Sequence, residues 1–182
     1  MTRFYTKTGD DGYTGFLGKD RLPKYDHRIE AIGTIDEANA TIALARTSCH
    51  SPESLSILLQ VQKDLYHLMS EVSASLENSH QFRIINAERV RWLEVQIDQI
   101  SSKVSLPDGF IIPGDSKAGA AIDLARTIVR RAERHLAYLY HMKLIENADL
   151  LHYMNRLSSL CFVLELLENQ AAGKQTASLA KE

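Results

Sequence analysis

An all-α, five-helix bundle behind a structured N-terminal loop is the fold this sequence predicts, and three observations predict it. Apolar residues recur at about 100° per residue through five long stretches, which is the helical period. The four prolines, Pro23, Pro52, Pro107 and Pro113, fall between long periodic segments and not inside them, as helix punctuation should. Four of the nine glycines crowd into positions 9, 12, 15 and 18, so the opening segment reads as loop with a short extended piece.

Each helix has its own warrant. The first is expected over 28–48. The second, 52–76, takes Ser51 as N-cap and Pro52 at its first position, both favoured there. Its expected core positions are Leu55, Leu58, Leu59, Gln62, Leu65, Met69, Val72 and Leu76. The third, 86–103, aligns Val90, Leu93, Ile97 and Ile100. The fourth covers 116–142 and the fifth 148–169. No strand pair is expected. The chain reads as a single domain, 1–182: an N-terminal loop over 1–27, a helical bundle over 28–170, and a small, polar, flexible tail over 171–182.

Composition narrows the function classes. The chain has 182 residues, 45 % hydrophobic and 24 % charged, with net charge −2. That suffices for a real core and argues against a general nucleic-acid binder. Cys49 and Cys161 form no CxxC, which disfavours a disulfide scaffold or thiolate zinc site. No apolar run approaches the ~18 residues needed to span a bilayer. The opening Met1–Lys7 stretch lacks an apolar h-region, so a cytoplasmic location without membrane attachment is expected. The seven histidines form no HExxH pair, and no metal ligand is assigned to the protein.

The informative residues are polar ones set among apolar stripes, because an unpartnered buried polar group costs roughly 2–7 kcal/mol. Asp36 shares a helical stripe with Ile29, Ile32, Ala40 and Ala43, so it is expected to have a cationic partner on another helix. Asp123, Arg126, Arg130, Glu133 and Arg134 fall within about 100° of one another on the fourth helix, while Arg131 points elsewhere. Arg126 is a natural partner for Asp36. Arg130 and Arg134 make a fork suited to a polyphosphate, the alternative being a solvated charged face. Asn155 shares a stripe with Ala148, Leu151, Phe162 and Leu166. A satisfied core amide is the plainer account of it.

Two loops also stand out. Tyr5-Thr6-Lys7-Thr8-Gly9-Asp10-Asp11-Gly12-Tyr13-Thr14 has the glycines, hydroxyls and lysine of an anion-binding loop, although GxxxxGK[ST] is absent. Phe110-Ile111-Ile112-Pro113-Gly114-Asp115 reads as a loop pinned by its own side chains, with Asp115 or Ser116 as the next N-cap.

Together these fragments resemble the PduO-type ATP:cob(I)alamin adenosyltransferases, the corrinoid adenosyltransferases. The matching stretches are Tyr-Thr-Lys-Thr-Gly-Asp at 5–10, Glu-Ala-Ile-Gly-Thr-Ile-Asp-Glu at 30–37 and Phe-Ile-Ile-Pro-Gly at 110–114. Ala-Arg-Thr-Ile-Val-Arg-Arg-Ala-Glu-Arg at 125–134 and Asn-Arg-Leu-Ser at 155–158 complete the set. They keep the family's order and cover nearly the whole chain.

The resemblance implies a homotrimer with active sites between subunits, and transfer of the 5′-deoxyadenosyl group of ATP to the cobalt of cob(I)alamin with release of triphosphate. It implies that Thr6, Lys7, Thr8, Gly9, Thr14 and Lys24 wrap ATP. Arg130, Glu133, Arg134 and Asn155 complete that site across the interface, with Mg²⁺ on the phosphates. It implies that Asp36 and Arg126 pair. It also implies that Phe110 faces the corrin and helps to exclude the lower axial ligand of cob(II)alamin. A flavoprotein reductase upstream and a B12-dependent enzyme downstream are the partners it suggests.

Two positions depart from the family pattern. Asp115 stands where Pro-Gly-Gly is usual, and Ser159 where Asn-Arg-Leu-Ser is commonly followed by aspartate. They keep open a non-catalytic ATP- or corrinoid-binding module that delivers the cofactor. Phosphoryl or adenylyl transfer by the same cationic groups and a plain structural bundle are the other competing readings.

Overall fold

Five helices form where the apolar period places them: α1 His27–Ser48, α2 Pro52–Val72, α3 Ala87–Ser101, α4 Lys117–His141 and α5 Asp149–Ala171. The structure is a computed structural model that describes residues 5–18 and 21–181. Residues 1–4, 19–20 and 182, parts of the expected N-terminal loop and tail, lie outside the described residues.

Side-chain caps start three of the helices by satisfying otherwise orphaned amides. Asp26 accepts from the amide of Arg28 on α1, Asn86 from those of Glu88 and Arg89 on α3, and Ser116 from that of Gly119 on α4. Ser51 precedes α2 as expected, but its side chain makes no capping bond. The buried carboxylate of Glu168 on α5 instead accepts from the amides of His50 and Ser51 at 2.8 and 3.1 Å.

α4 is the centre of the packing and touches both α1 and α5; α3 packs on α5 and α2 on α1. Ala31, Ala38 and Ala45 on α1 and Ala118, Ala125 and Ala132 on α4 repeat every seven residues and are all buried. Small residues at that spacing let two helices approach closely along one seam.

The core face of α2 is Ile57, Leu58, Val61, Leu65, Leu68 and Val72, whereas Leu55, Leu59 and Leu76 are exposed. The helix carries two apolar faces, and the period alone does not choose between them. Likewise the core stripe of α1 is Ala31, Ile35, Ala38, Ile42 and Ala45. The stripe holding Asp36, Ile29, Ile32, Ala40 and Ala43 is half-buried to exposed, with Asp36 itself exposed.

The expectation of no strand pair is wrong for the N-terminal segment, which folds as a short hairpin. β1 (Tyr13–Gly15) and β2 (Arg21–Pro23) pair antiparallel, with Thr14 opposite Leu22. Leu17 then seats this hairpin on the end of α2: its amide donates to Ser73 O at 2.7 Å and its carbonyl accepts from Ser75 at 3.2 Å. That docking uses the backbone beyond Val72 and ends α2 four residues before the expected 76.

The end of the tail also departs from expectation. Residues 178–180 do not trail away but pair with the Phe110 segment, Ile111 standing opposite Leu179 in an antiparallel bridge. No described helix is long and apolar enough to cross a membrane.

Candidate functional site

The N-terminal hairpin holds the Thr6–Thr14 loop in shape. Lys7 sits at φ +62°, a conformation costing a non-glycine residue roughly 1–2 kcal/mol. Turns close at Asp10 N to Lys7 O and Gly12 N to Gly9 O. The Thr6 and Thr8 hydroxyls lie 2.8 Å apart. Lys24 crosses from the end of β2 and donates to Gly9 O at 2.8 Å. A Cβ on residue 9 would stand 3.1 Å from that ammonium, so glycine lets the lysine close in. Arg21 ties the loop from the other strand through Asp11, Thr8 O and Tyr13 O. Its hydrogen bonds hold the Asp11 carboxyl below the usual range. The result is a shaped, exposed loop carrying two lysines and three threonine hydroxyls.

The second cluster lies on α4 and α5. Arg130 and Arg134 are exposed on α4, with Arg134 Nη1 donating to Arg130 O at 3.0 Å. Glu133, between them, accepts from Asn155 Nδ2 at 2.9 Å, and Arg156 Nη1 donates to Asn155 Oδ1 at 2.8 Å. Asn155 is exposed, so the core amide suggested by its stripe is not what the structure shows. Arg131 points away to Glu37 on α1, as its helical angle indicates.

Two cavities adjoin this cluster. One of about 540 Å³ is lined by Pro107–Ile111 and Pro113 on the loop side and by Asp123, Arg126 and Phe162 on the helix side. The other, about 260 Å³, is bounded by Ile97, Arg126, Arg130, Ser158, Ser159, Phe162 and Val163. Arg126 and Phe162 line both. Phe110, 89 % exposed, stands at the first cavity, and Arg130 lines the second. Ser159, one of the two departures, sits in its wall.

Within the chain Arg126 pairs with Asp123 on its own helix, Nε to Oδ1 at 2.6 Å. The expected pairing of Arg126 with Asp36 is not made within one chain: helical geometry hands the guanidinium a carboxylate one turn away, and Asp36 is left exposed on α1. Among the described residues, no hydrogen bond or ion pair joins the Thr6–Thr14 loop to Arg130, Glu133, Arg134 or Asn155. One chain thus presents two clusters: a lysine- and threonine-rich loop, and an arginine row beside a largely apolar cavity.

Sequence reasoning missed Glu165. It lies on α5 inside the run Val163-Leu-Glu-Leu-Leu167 and is fully buried, with neither carboxylate oxygen hydrogen-bonded among the described residues. Burial first, then the charge of Asp123, pushes its pKa up to about 7. A single acid in a leucine-rich run was the available signal.

The family model for cobalamin adenosyltransferase matches residues 4–168. The chain belongs to the cobalamin adenosyltransferase family. It is 35 % identical to a cobalamin adenosyltransferase of Cupriavidus metallidurans, across 95 % of this chain and 91 % of that protein. With the corrinoid adenosyltransferase PduO of Citrobacter freundii it shares 34 % identity over 92 % of its own length. It spans half the length of that relative.

Solved structures of the family carry the same fold. A phenylalanine-to-alanine variant of the PduO-type ATP:corrinoid adenosyltransferase from Lactobacillus reuteri, complexed with cobalamin and ATP, superposes with a TM-score of 0.88 at 29 % identity. That match covers 99 % of this chain and 100 % of the other. An arginine-to-lysine variant of the same adenosyltransferase, complexed with ATP, gives a TM-score of 0.86.

Proposed function

We propose that this cobalamin adenosyltransferase-family chain transfers the 5′-deoxyadenosyl group of ATP to the cobalt of cob(I)alamin, giving adenosylcobalamin and triphosphate. The observation that carries this reading is a pair of cavities that share Arg126 and Phe162 in their walls, one lined by Phe110 and the other by Arg130. It sets an apolar-walled space able to face a corrin ring against guanidinium groups able to face a polyphosphate.

The reaction needs little covalent chemistry from the protein. The substrate cobalt in its Co(I) state holds a nucleophilic electron pair. That pair forms the Co–C5′ bond as the C5′–O5′ bond breaks, and the electrons of that bond leave on the triphosphate. What remains for the chain is to hold C5′ in line with cobalt, which can contribute ~7–11 kcal/mol. Each donor aimed at the charge that grows on the leaving oxygens can add ~2.7–4 kcal/mol. Lys7, Lys24, Arg130 and Arg134, with the hydroxyls of Thr6, Thr8 and Thr14, are the groups proposed for that role. Bound Mg²⁺ would supply further neutralisation of the phosphates. Glu133, held by Asn155, is a carboxylate of the right kind to face it or its waters.

The two halves of the ATP site lie unconnected in one chain. We place them together across the interface of a homotrimer, the loop of one copy against the arginine row of the next. In that arrangement Asp36 and Arg126 are free to pair between copies.

The test is an anaerobic reaction of the chain with chemically reduced cob(I)alamin and Mg-ATP, following the corrinoid spectrum and the phosphate products. The expected result is Co–C bond formation with triphosphate released. ADP or pyrophosphate as product makes the chain a phosphoryl or adenylyl transferase. Tight ATP binding with no turnover makes it a binding or delivery module.

A further inference from the structure

The chain uses one of its departures from the family pattern to fasten its own C-terminus. α5 ends at Ala171 and the backbone turns back, Gly173 N bonding to Gln170 O and Lys174 N to Asn169 O. The returning segment meets the Phe110 loop in a single antiparallel bridge, Ile111 opposite Leu179. Ile112 N donates to Ser178 O and Ala180 N to Phe110 O, each at 2.7 Å, the reciprocal bonds of an antiparallel pair. Asp115 then grips the same segment. Its two carboxylate oxygens accept from the Ser178 amide at 2.9 Å and the Ser178 hydroxyl at 2.7 Å. These bonds hold the Asp115 carboxyl below its usual range.

The far end of the loop is fixed as well. Ser116, the N-cap of α4, bonds to Asn169 Oδ1 at 2.7 Å. A Cβ at Gly119 would stand 2.2 Å from that same oxygen, so only glycine admits the contact. The loop from Phe110 to Ser116 is thus held along its length by the end of α5 and by the segment that follows it. This loop supplies one wall of the 540 Å³ cavity. Where the loop stands decides how wide that cavity opens.

We infer that residues 177–180 form a strap, latched by Asp115 to Ser178, that positions the Phe110 loop against the corrinoid substrate. Asp115 acts here as a positioning residue: it touches Ser178, and through the strap it sets the wall that the corrin meets. The inference rests on the proposed adenosyltransferase function, since the corrinoid is what the wall would meet. A glycine at position 115 would lack the latch, so the strap is tied to this chain's own sequence.

The experiment uses the full-length chain with Asp115→Ala, Ser178→Ala, Ser178→Thr and Ala180→Pro, the last removing the amide that donates to Phe110 O. Hydrogen–deuterium exchange at the Ile112 amide reads the strap without any ligand. Steady-state rates with cob(I)alamin and Mg-ATP read its consequence. Asp115→Ala and Ala180→Pro should speed exchange at Ile112 and raise the KM for cob(I)alamin roughly fivefold, the loss expected for one or two surface hydrogen bonds. The KM for ATP should stay within about twofold of the parent's. Ser178→Ala should show a smaller change in the same direction, and Ser178→Thr, which keeps the hydroxyl, should match the parent. Unchanged exchange at Ile112 overturns the latch. Faster exchange with an unchanged corrinoid KM overturns the positioning role. A parent chain that adenosylates no corrinoid overturns the proposed function itself, whatever the exchange shows.

Discussion

Asn155 on α5 donates through Nδ2 to Glu133 Oε1 on α4 at 2.9 Å, joining two helices at the point where the arginine row is exposed. Arg156 holds the other end of the same amide. Glu133 is therefore oriented between Arg130 and Arg134 by a group on a neighbouring helix and does not swing freely. Asn155→Ala is expected to raise the KM for Mg-ATP about tenfold, the cost of one charge-assisted hydrogen bond, and to leave the corrinoid KM nearly unchanged. Steady-state kinetics with each substrate varied in turn checks this. Equal effects on both substrates would take Asn155 out of the nucleotide site.

Neighbouring arginines on α4 should behave oppositely. Arg130 lines the cavity shared with Arg126, whereas Arg131 pairs with Glu37 on an exposed face. Arg130→Ala should cut turnover by about 100-fold or more, the usual loss when a donor to a charged transition state is removed. Arg131→Ala loses only a surface ion pair worth about 0–1 kcal/mol, so its kinetics should match the parent chain. Comparable losses in the two variants would mean the row acts through stability and not through substrate.

Asp36 and Asp123 separate a contact within the chain from one between chains. Arg126 already has Asp123 as its partner at 2.6 Å, and Asp36 is exposed. Asp36→Asn should therefore shift the unfolding free energy of the isolated chain by less than about 0.5 kcal/mol. If it nonetheless lowers turnover, the loss comes from outside its own chain, as the proposed inter-subunit pairing requires. Asp123→Asn leaves Arg126 half-buried without its carboxylate and should cost stability by about 1–3 kcal/mol. Denaturant titration of both variants, read beside their activity, gives the answer. A stability loss at Asp36 as large as at Asp123 would refute the distinction.

The helices were legible in the sequence because each repeats its apolar residues at one period over four or more turns. Which face turns inward was less so. On α2 both Leu55-Leu59-Gln62 and Ile57-Val61-Leu68 satisfy the period, and only the presence of α1 and α5 decides that the second is core. Asp36 was misplaced for the same reason: Ile29, Ile32, Ala40 and Ala43 form a genuine stripe, but not the one facing α4. The residues proposed to face the polyphosphate were chosen by type, since lysines, threonines and arginines suit an anion. The family resemblance, and not the spacing, implied that loop and arginine row meet across an interface, whereas the hairpin that seats the loop at Leu17 was not legible. The strap had no local signal at all. Residues 177–180 carry no alternation, and only the loop they meet gives them an extended shape.

Glu165 supplies the pH dependence. Its carboxylate is buried with no hydrogen-bond partner among the described residues. The ionisable groups around it are Asp123 and Arg126 from α4, Asp115 from the loop before α4 and Cys161 one turn back on α5. Burial, then the negative charge of Asp123, raises its pKa from 4.5 to about 7, with Arg126 opposing. A carboxyl whose pKa rises on folding holds its proton more tightly in the folded chain than in the unfolded one. Its contribution is therefore fully present below the unfolded value and is lost as the pH climbs to the folded value near 7. Glu165→Gln keeps the shape of the protonated acid and removes the ionisation. The variant should match the parent near pH 5 and exceed its unfolding free energy at pH 8.5 by roughly 1–3 kcal/mol. Urea denaturation at the two pH values measures the difference. A variant less stable than the parent at pH 8.5 would show instead that Glu165 is ionised in the folded chain and that Arg126 outweighs both burial and Asp123.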